Sequence, residues 1–129
     1  MKRVKSNKVK KYSFLFLLVI GIIIVFTLID YLVHSLSEEY SVPGSYFRNK
    51  IIFGTIIGYI ALLIAMKWKI WKKALFMSAV VSVLLQTRYY LEGYPKEFVF
   101  EFMLWHFLML LPASLLFLWF GKKFIKADF

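Results

Sequence analysis

Residues 13–29 read SFLFLLVIGIIIVFTLI. No charge interrupts the run, and it approaches the roughly 17 to 25 residues an α-helix needs to cross the apolar core of a bilayer. It is too long and unbroken for the apolar region of a cleaved signal peptide, and no small-x-small cleavage site follows it. It is therefore read as a retained first span, 13–36, whose last turns carry Asp30 and His34. Working outward, three more apolar runs follow. The second, 50–66, is entered after Pro43-Gly44, a pair that breaks both helix and strand. The third, 74–90, reaches spanning length only with Arg88 included. The fourth, 96–120, opens beside Pro95, where a missing N–H suits a first helical turn. The expected fold is all-α: one polytopic membrane domain over residues 1–129, a bundle of four transmembrane helices preceded by a basic arm, 1–12.

Composition agrees. The chain is 61% hydrophobic and only 19% charged, which excludes an ordinary soluble globular protein, in which roughly a quarter of residues are charged. It has no cysteine, so disulfides, thiolate metal sites and cysteine nucleophiles are excluded together. About 35 residues lie outside the spans, too few for a separate catalytic or nucleotide-binding domain.

Basic residues in short loops resist translocation, so their distribution sets orientation. The arm (Lys2, Arg3, Lys5, Lys8, Lys10, Lys11), the loop between spans two and three (Lys67, Lys69, Lys72, Lys73) and the tail (Lys122, Lys123, Lys126) hold most of the 17 bases. The other side holds Arg48, Lys50, Arg88 and Lys96 with six of the seven acids. Both termini are therefore expected in the cytoplasm, and the Lys- and Ile-rich composition fits a prokaryotic plasma membrane. Trp68, Trp71, Trp119 and Tyr12 fit an inner aromatic belt, and Tyr40, Tyr46, Tyr89, Tyr90 and Tyr94 an outer one. Trp105 and Tyr59 fall inside the spans and call for packing partners or a ligand.

Span two carries Gly54, Gly58, Ala61 and Ala65, and span three Ala74, Ser78 and Ser82. Small residues at helical spacing let backbones approach closely where lipid offers no hydrophobic drive. The two stripes are expected to pack against each other, or against a second copy or partner subunit. Pro112 lies within span four, where it removes a backbone hydrogen bond and is expected to kink the helix.

The ionisable residues gather near the outer leaflet. At about 1.5 Å per residue, Asp30 lies about 25 Å and Arg88 about 21 Å from the inner boundary, with Glu101 about 5 Å and His106 about 12 Å below the outer one. Charges at such depth are expensive and face the bundle interior in pairs, so Arg88 is expected to pair with Asp30 or Glu101. Thr27, Asp30, His34 and Ser37 form one polar stripe, and Ser78, Ser82 and Gln86 another. Asp30, Arg88, Glu101, His106, Gln86 and Trp105 are the candidate ligand-binding residues. Asp30, Glu101, His34 and His106 are candidate acids or bases, although His34, close to water, is expected to be solvated. Asp30 and His34 at i, i+4 with Glu101 make a weak metal pattern that lacks the usual ligand motifs, so neither metal nor cofactor is expected.

Three functional expectations follow. The first is an accessory or assembly subunit of a larger membrane complex, packing through its small-residue stripes against other membrane subunits or its own copy. The second is a lipid- or small-molecule-binding protein or transporter using the outer-leaflet polar layer. The third is a membrane enzyme on a lipid or isoprenoid substrate, using a buried carboxylate or histidine. Membrane lipids are the expected partners throughout, with the basic loop KWKIWKK attracting anionic head groups. Nucleic acid is not expected, because the positive-inside pattern already accounts for the bases.

Overall fold

A computed structural model describes the backbone of residues 2–124 and the side chains of residues 8–123. Of the bases counted above, the side chains of Lys2, Arg3, Lys5 and Lys126 lie outside it. The described chain forms four helices: α1 (Lys2–His34), α2 (Gly44–Ile64), α3 (Ile70–Leu91) and α4 (Lys96–Phe124), with a 3-10 turn, Glu38–Tyr40, after α1. All four are long and apolar enough to cross a membrane.

The helices exceed the expected spans mostly at their polar ends, because a helix continues through charged residues until a backbone signal stops it. α1 runs back through the basic arm, and α2 starts at Gly44 directly after Pro43 rather than at Lys50. That early start puts Lys50 inside the helix by almost two turns, about 9 Å. α3 ends where Gly93 takes a φ of 100°, the left-handed conformation that suits glycine. Tyr94 N–H reaches back to the Tyr89 carbonyl at 3.2 Å and Gly93 N–H to that of Tyr90 at 3.1 Å, a Schellman-type closure. α4 passes through Pro112 without a break in its helical assignment.

Short connections make sequence neighbours antiparallel, and α4 closes the ring by packing on both α3 and α1. The backbones of the diagonal pairs, α1 with α3 and α2 with α4, stay apart, and these helices meet only through side chains that reach into the centre. The core between them is built from Val19, Ile22, Ile23, Phe26, Leu62, Met77, Val81, Leu85, Phe102 and Leu110. Large apolar residues also cover the outside, among them Leu17, Leu28, Leu32, Ile64, Leu104 and Leu116. An apolar exterior around a partly polar interior inverts the soluble arrangement and suits hydrocarbon as solvent.

The small-residue stripes are used within this bundle. A Cβ at Gly58 would lie 2.9 Å from Met77 Cε and 3.2 Å from Val19 Cγ1, and one at Gly54 would lie 3.3 Å from Ile23 Cγ2. Ala61, Ala65, Ser78 and Ser82 are all buried. α2 thus sits against α1 and α3 at a distance that longer side chains would prevent.

Candidate functional site

The ionisable groups converge on Asp30, one turn before the end of α1. Asp30, Lys50 of α2 and His106 of α4 are each 0% exposed, as is Gln86 of α3, so every helix contributes one member. The Lys50 ammonium donates to Asp30 Oδ2. His106 Nε2 lies 3.1 Å from Asp30 Oδ1 and 3.0 Å from Lys50 Nζ, and its Nδ1 lies 2.7 Å from the Gln86 amide. His34, one turn beyond Asp30, brings Nε2 to 3.3 Å from Asp30 Oδ2, an ion-pair distance without hydrogen-bond alignment. A buried carboxylate is tolerated only when paired and hydrogen-bonded, and these partners supply both.

Aromatic rings close the cluster. Lys50 Nζ stands 4.3 Å from the Tyr46 ring centroid and 5.1 Å from that of Phe26, where cation–π attraction supports the ammonium away from water. His34 stacks on Phe102 at 4.2 Å, and Tyr46 stacks on Tyr89 at 4.3 Å. His34, expected in water, is only 4% exposed, because the Glu38–Tyr40 turn folds back over it and its Nδ1 meets the Tyr40 carbonyl at 2.6 Å.

Hydrogen-bond chemistry assigns protons here. A carbonyl only accepts, so His34 Nδ1 carries hydrogen and a neutral His34 turns a bare Nε2 lone pair toward the Asp30 carboxylate. One more proton at that gap would make the contact favourable. His106 accommodates two arrangements of the same heavy atoms. In one, the Gln86 amide donates to Nδ1 and Nε2–H donates to Asp30. In the other, the amide is turned over to accept from Nδ1–H, and Nε2 accepts from Lys50. The two differ in which ring nitrogen carries the proton and by an amide rotation.

Polar groups continue away from the cluster. Ser78, Ser82 and Gln86 lie on one face of α3, at four-residue steps of about 6 Å. The hydroxyls of Ser78, Ser82, Thr27 and Tyr46, with Gln86 Oε1 and His34 Nε2, are buried without a hydrogen-bond partner. Buried polar atoms are normally satisfied. Exposed hydroxyls in this chain do bond the preceding turn, Thr87 to the Val83 carbonyl at 2.7 Å and Ser35 to that of Tyr31 at 2.8 Å. The buried hydroxyls instead keep their bonding capacity open.

Asp30, Gln86 and His106 are thus brought together, while Arg88, Glu101 and Trp105 are not. Arg88 does not reach Asp30: its Nε pairs with Glu92 at 3.0 Å and its guanidinium covers the Phe53 ring at 3.8 Å. It stands two residues past Gln86, a rotation of about 200° that turns it out of the bundle. Glu101 accepts from the Tyr40 hydroxyl at 3.2 Å at the surface, and that carboxylate pushes the Tyr40 phenol above its ordinary range. Trp105 is 45% exposed on the outer face of α4. Tyr59 packs edge-on to Phe16 and donates to the Tyr12 carbonyl at 3.3 Å.

Lys50 is the residue that sequence reasoning missed, since it was taken as the boundary of span two. Pro43-Gly44 held the signal: a helix free to start there places position 50 in the apolar layer. Asp30, His34 and His106 also place one ligand atom each within 4.8 Å of one another, a spacing compatible with a metal ion. The Lys50 ammonium already serves as the cation at that carboxylate, and a dication beside it would meet like-charge repulsion.

No protein-family model, curated protein or solved structure matches this chain.

Proposed function

We propose that this chain is a small membrane transport protein that moves protons, with Asp30, Lys50, His106 and His34 as the exchange site. The observation that carries the reading is the set of buried, unpartnered polar atoms running from His34 through Gln86 to Ser82 and Ser78 beside a cluster of four ionisable groups. Intramembrane chains of acidic and histidine side chains mark proton relays, and histidine changes charge near neutral pH more readily than any other side chain. The complete burial of Asp30, Lys50 and His106 favours a proton over a lipid or isoprenoid substrate, which would need an open cavity at the reacting group.

In this reading both termini are cytoplasmic, as the distribution of Lys and Arg supports, and the Lys- and Ile-rich composition fits a prokaryotic plasma membrane. Protons enter past Tyr40 and His34 from the outer side, exchange at Asp30 and His106, and continue along the α3 hydroxyl row. The accessory-subunit reading loses its main motive, because Gly54, Gly58, Ser78 and Ser82 are occupied in packing the bundle itself. Other membrane subunits or a second copy would have to dock on the apolar outer faces.

The test is proton uptake into liposomes holding the purified chain, driven by a potassium diffusion potential and read with an entrapped pH dye. Uptake above empty liposomes is expected, falling by about 10²-fold or more in Asp30→Asn and His106→Leu, the usual scale for a proton-transfer group. Equal uptake in all three proteins, or none in the parent, overturns the proposal.

A further inference from the structure

At the end of the bundle opposite the charged cluster, the α2–α3 turn and the start of α3 border a groove of about 820 Å³. Lys67, Lys69 and Lys72 stand at its mouth beside Trp68 and Trp71, and its floor is apolar, formed by Leu75, Phe76 and Ala79 of α3 with Phe107 of α4. Ala79 and Phe107 also line a second groove of about 290 Å³, which continues along the α3–α4 seam past Ser82, Val83 and Leu104. Together they make one lipid-facing channel with cations at one end and a mainly apolar lining along its length.

The mouth is built to keep its charge and shape. No Asp or Glu occurs between residues 41 and 91, and none lines the groove, so the sequence supplies no neighbouring carboxylate on α2 or α3 to neutralise these lysines. Trp68 packs edge-on to Phe76 at 5.0 Å, and Lys72 Nζ lies 5.5 Å from the Trp71 ring. Indole rings prefer the head-group level of a membrane, which puts the three ammonium groups at phosphate height.

We infer that this channel is a seat for an anionic glycerophospholipid, its phosphate held among Lys67, Lys69 and Lys72 and an acyl chain laid along the α3–α4 seam over Ala79. Charge complementarity selects the head group, and the length and apolar lining of the seam select a chain. Loop lysines alone would draw anionic lipid to this end without fixing one molecule. The distinction lies in Ala79, which carries no charge, faces the lipid, and narrows the channel if enlarged.

The test uses the full chain with Trp105→Phe and Trp119→Phe, so that only Trp68 and Trp71 fluoresce. It is placed in phosphatidylcholine vesicles containing a minor fraction of acyl-brominated phosphatidylglycerol or, in parallel, acyl-brominated phosphatidylcholine. Stronger quenching by the brominated phosphatidylglycerol is expected, and each lysine-to-glutamine change at 67, 69 and 72 should reduce the preference by about fivefold. Ala79→Phe, with circular dichroism unchanged, should also abolish most of it. No preference in the parent overturns the seat. So does a preference that needs the lysines and survives Ala79→Phe, which would be surface attraction alone.

Discussion

The Asp30–Lys50 pair has a measurable energetic signature. Both groups are fully buried, so removing either leaves the other charge in a low-dielectric interior, a loss of about 3 to 5 kcal/mol. The two single variants should not be equal. Lys50→Met leaves Asp30 with two imidazoles, His106 Nε2 at 3.1 Å and His34 Nε2 at 3.3 Å, which can take up a proton and carry the countercharge. It belongs at the lower end, about 3 kcal/mol. Asp30→Leu leaves an ammonium facing the His106 imidazole at 3.0 Å and the Tyr46 and Phe26 rings, none of them anionic, and belongs at the upper end, about 5 kcal/mol. Asp30→Leu with Lys50→Met removes both charges at similar volume. It should fall within about 1 to 2 kcal/mol of the parent, since buried ion pairs often exchange for apolar residues at little loss. The assay is unfolding in mixed micelles by added dodecyl sulfate, followed by circular dichroism, analysed as a double-mutant cycle. Single-variant losses that simply add in the double variant would refute a direct pair.

Four other outcomes are expected. Gly58→Ile, whose Cβ alone would come within 2.9 Å of Met77 Cε, should destabilise the bundle by about 1 to 3 kcal/mol in the same unfolding assay. Arg88→Gln, removing a half-exposed pair with Glu92, should cost less than about 1 kcal/mol and leave proton uptake unchanged. Glu101→Gln removes the carboxylate that raises the Tyr40 phenol, so the phenol's titration should move down toward its ordinary value, read by NMR of ring-labelled tyrosine. Ser82→Ala should slow liposome proton uptake with little change in stability, because its hydroxyl makes no hydrogen bond that the bundle would lose.

The four spans were legible in the sequence because hydrocarbon imposes a length that no other environment requires, and 13–29 meets it without interruption. The packing stripe was legible for a similar reason: Gly54, Gly58, Ala61 and Ala65 share one helical face, and close approach is what small residues permit. Asp30, Gln86 and His106 meet in one cluster. For Arg88 and Glu101 the facing differs from the expectation: neither side chain turns toward Asp30. Depth depends on rise alone, whereas facing depends on about 100° per residue, which turns Arg88 away from Gln86 and Glu101 away from His106. Lys50 was lost to the assumption that a span starts where charge ends. A Pro-Gly start followed by a helix that carries its charge inward, toward a carboxylate on its neighbour, breaks that assumption. His34 was misplaced because nothing local shows that residues 38–40 fold back over the end of α1.

The most direct measurement is proton uptake by liposomes containing Asp30→Leu with Lys50→Met beside the parent chain, each first shown to be folded by circular dichroism. The account predicts that the parent carries protons and that the double variant, folded but without its exchange site, carries them no faster than empty liposomes. Equal uptake by the two proteins would contradict it.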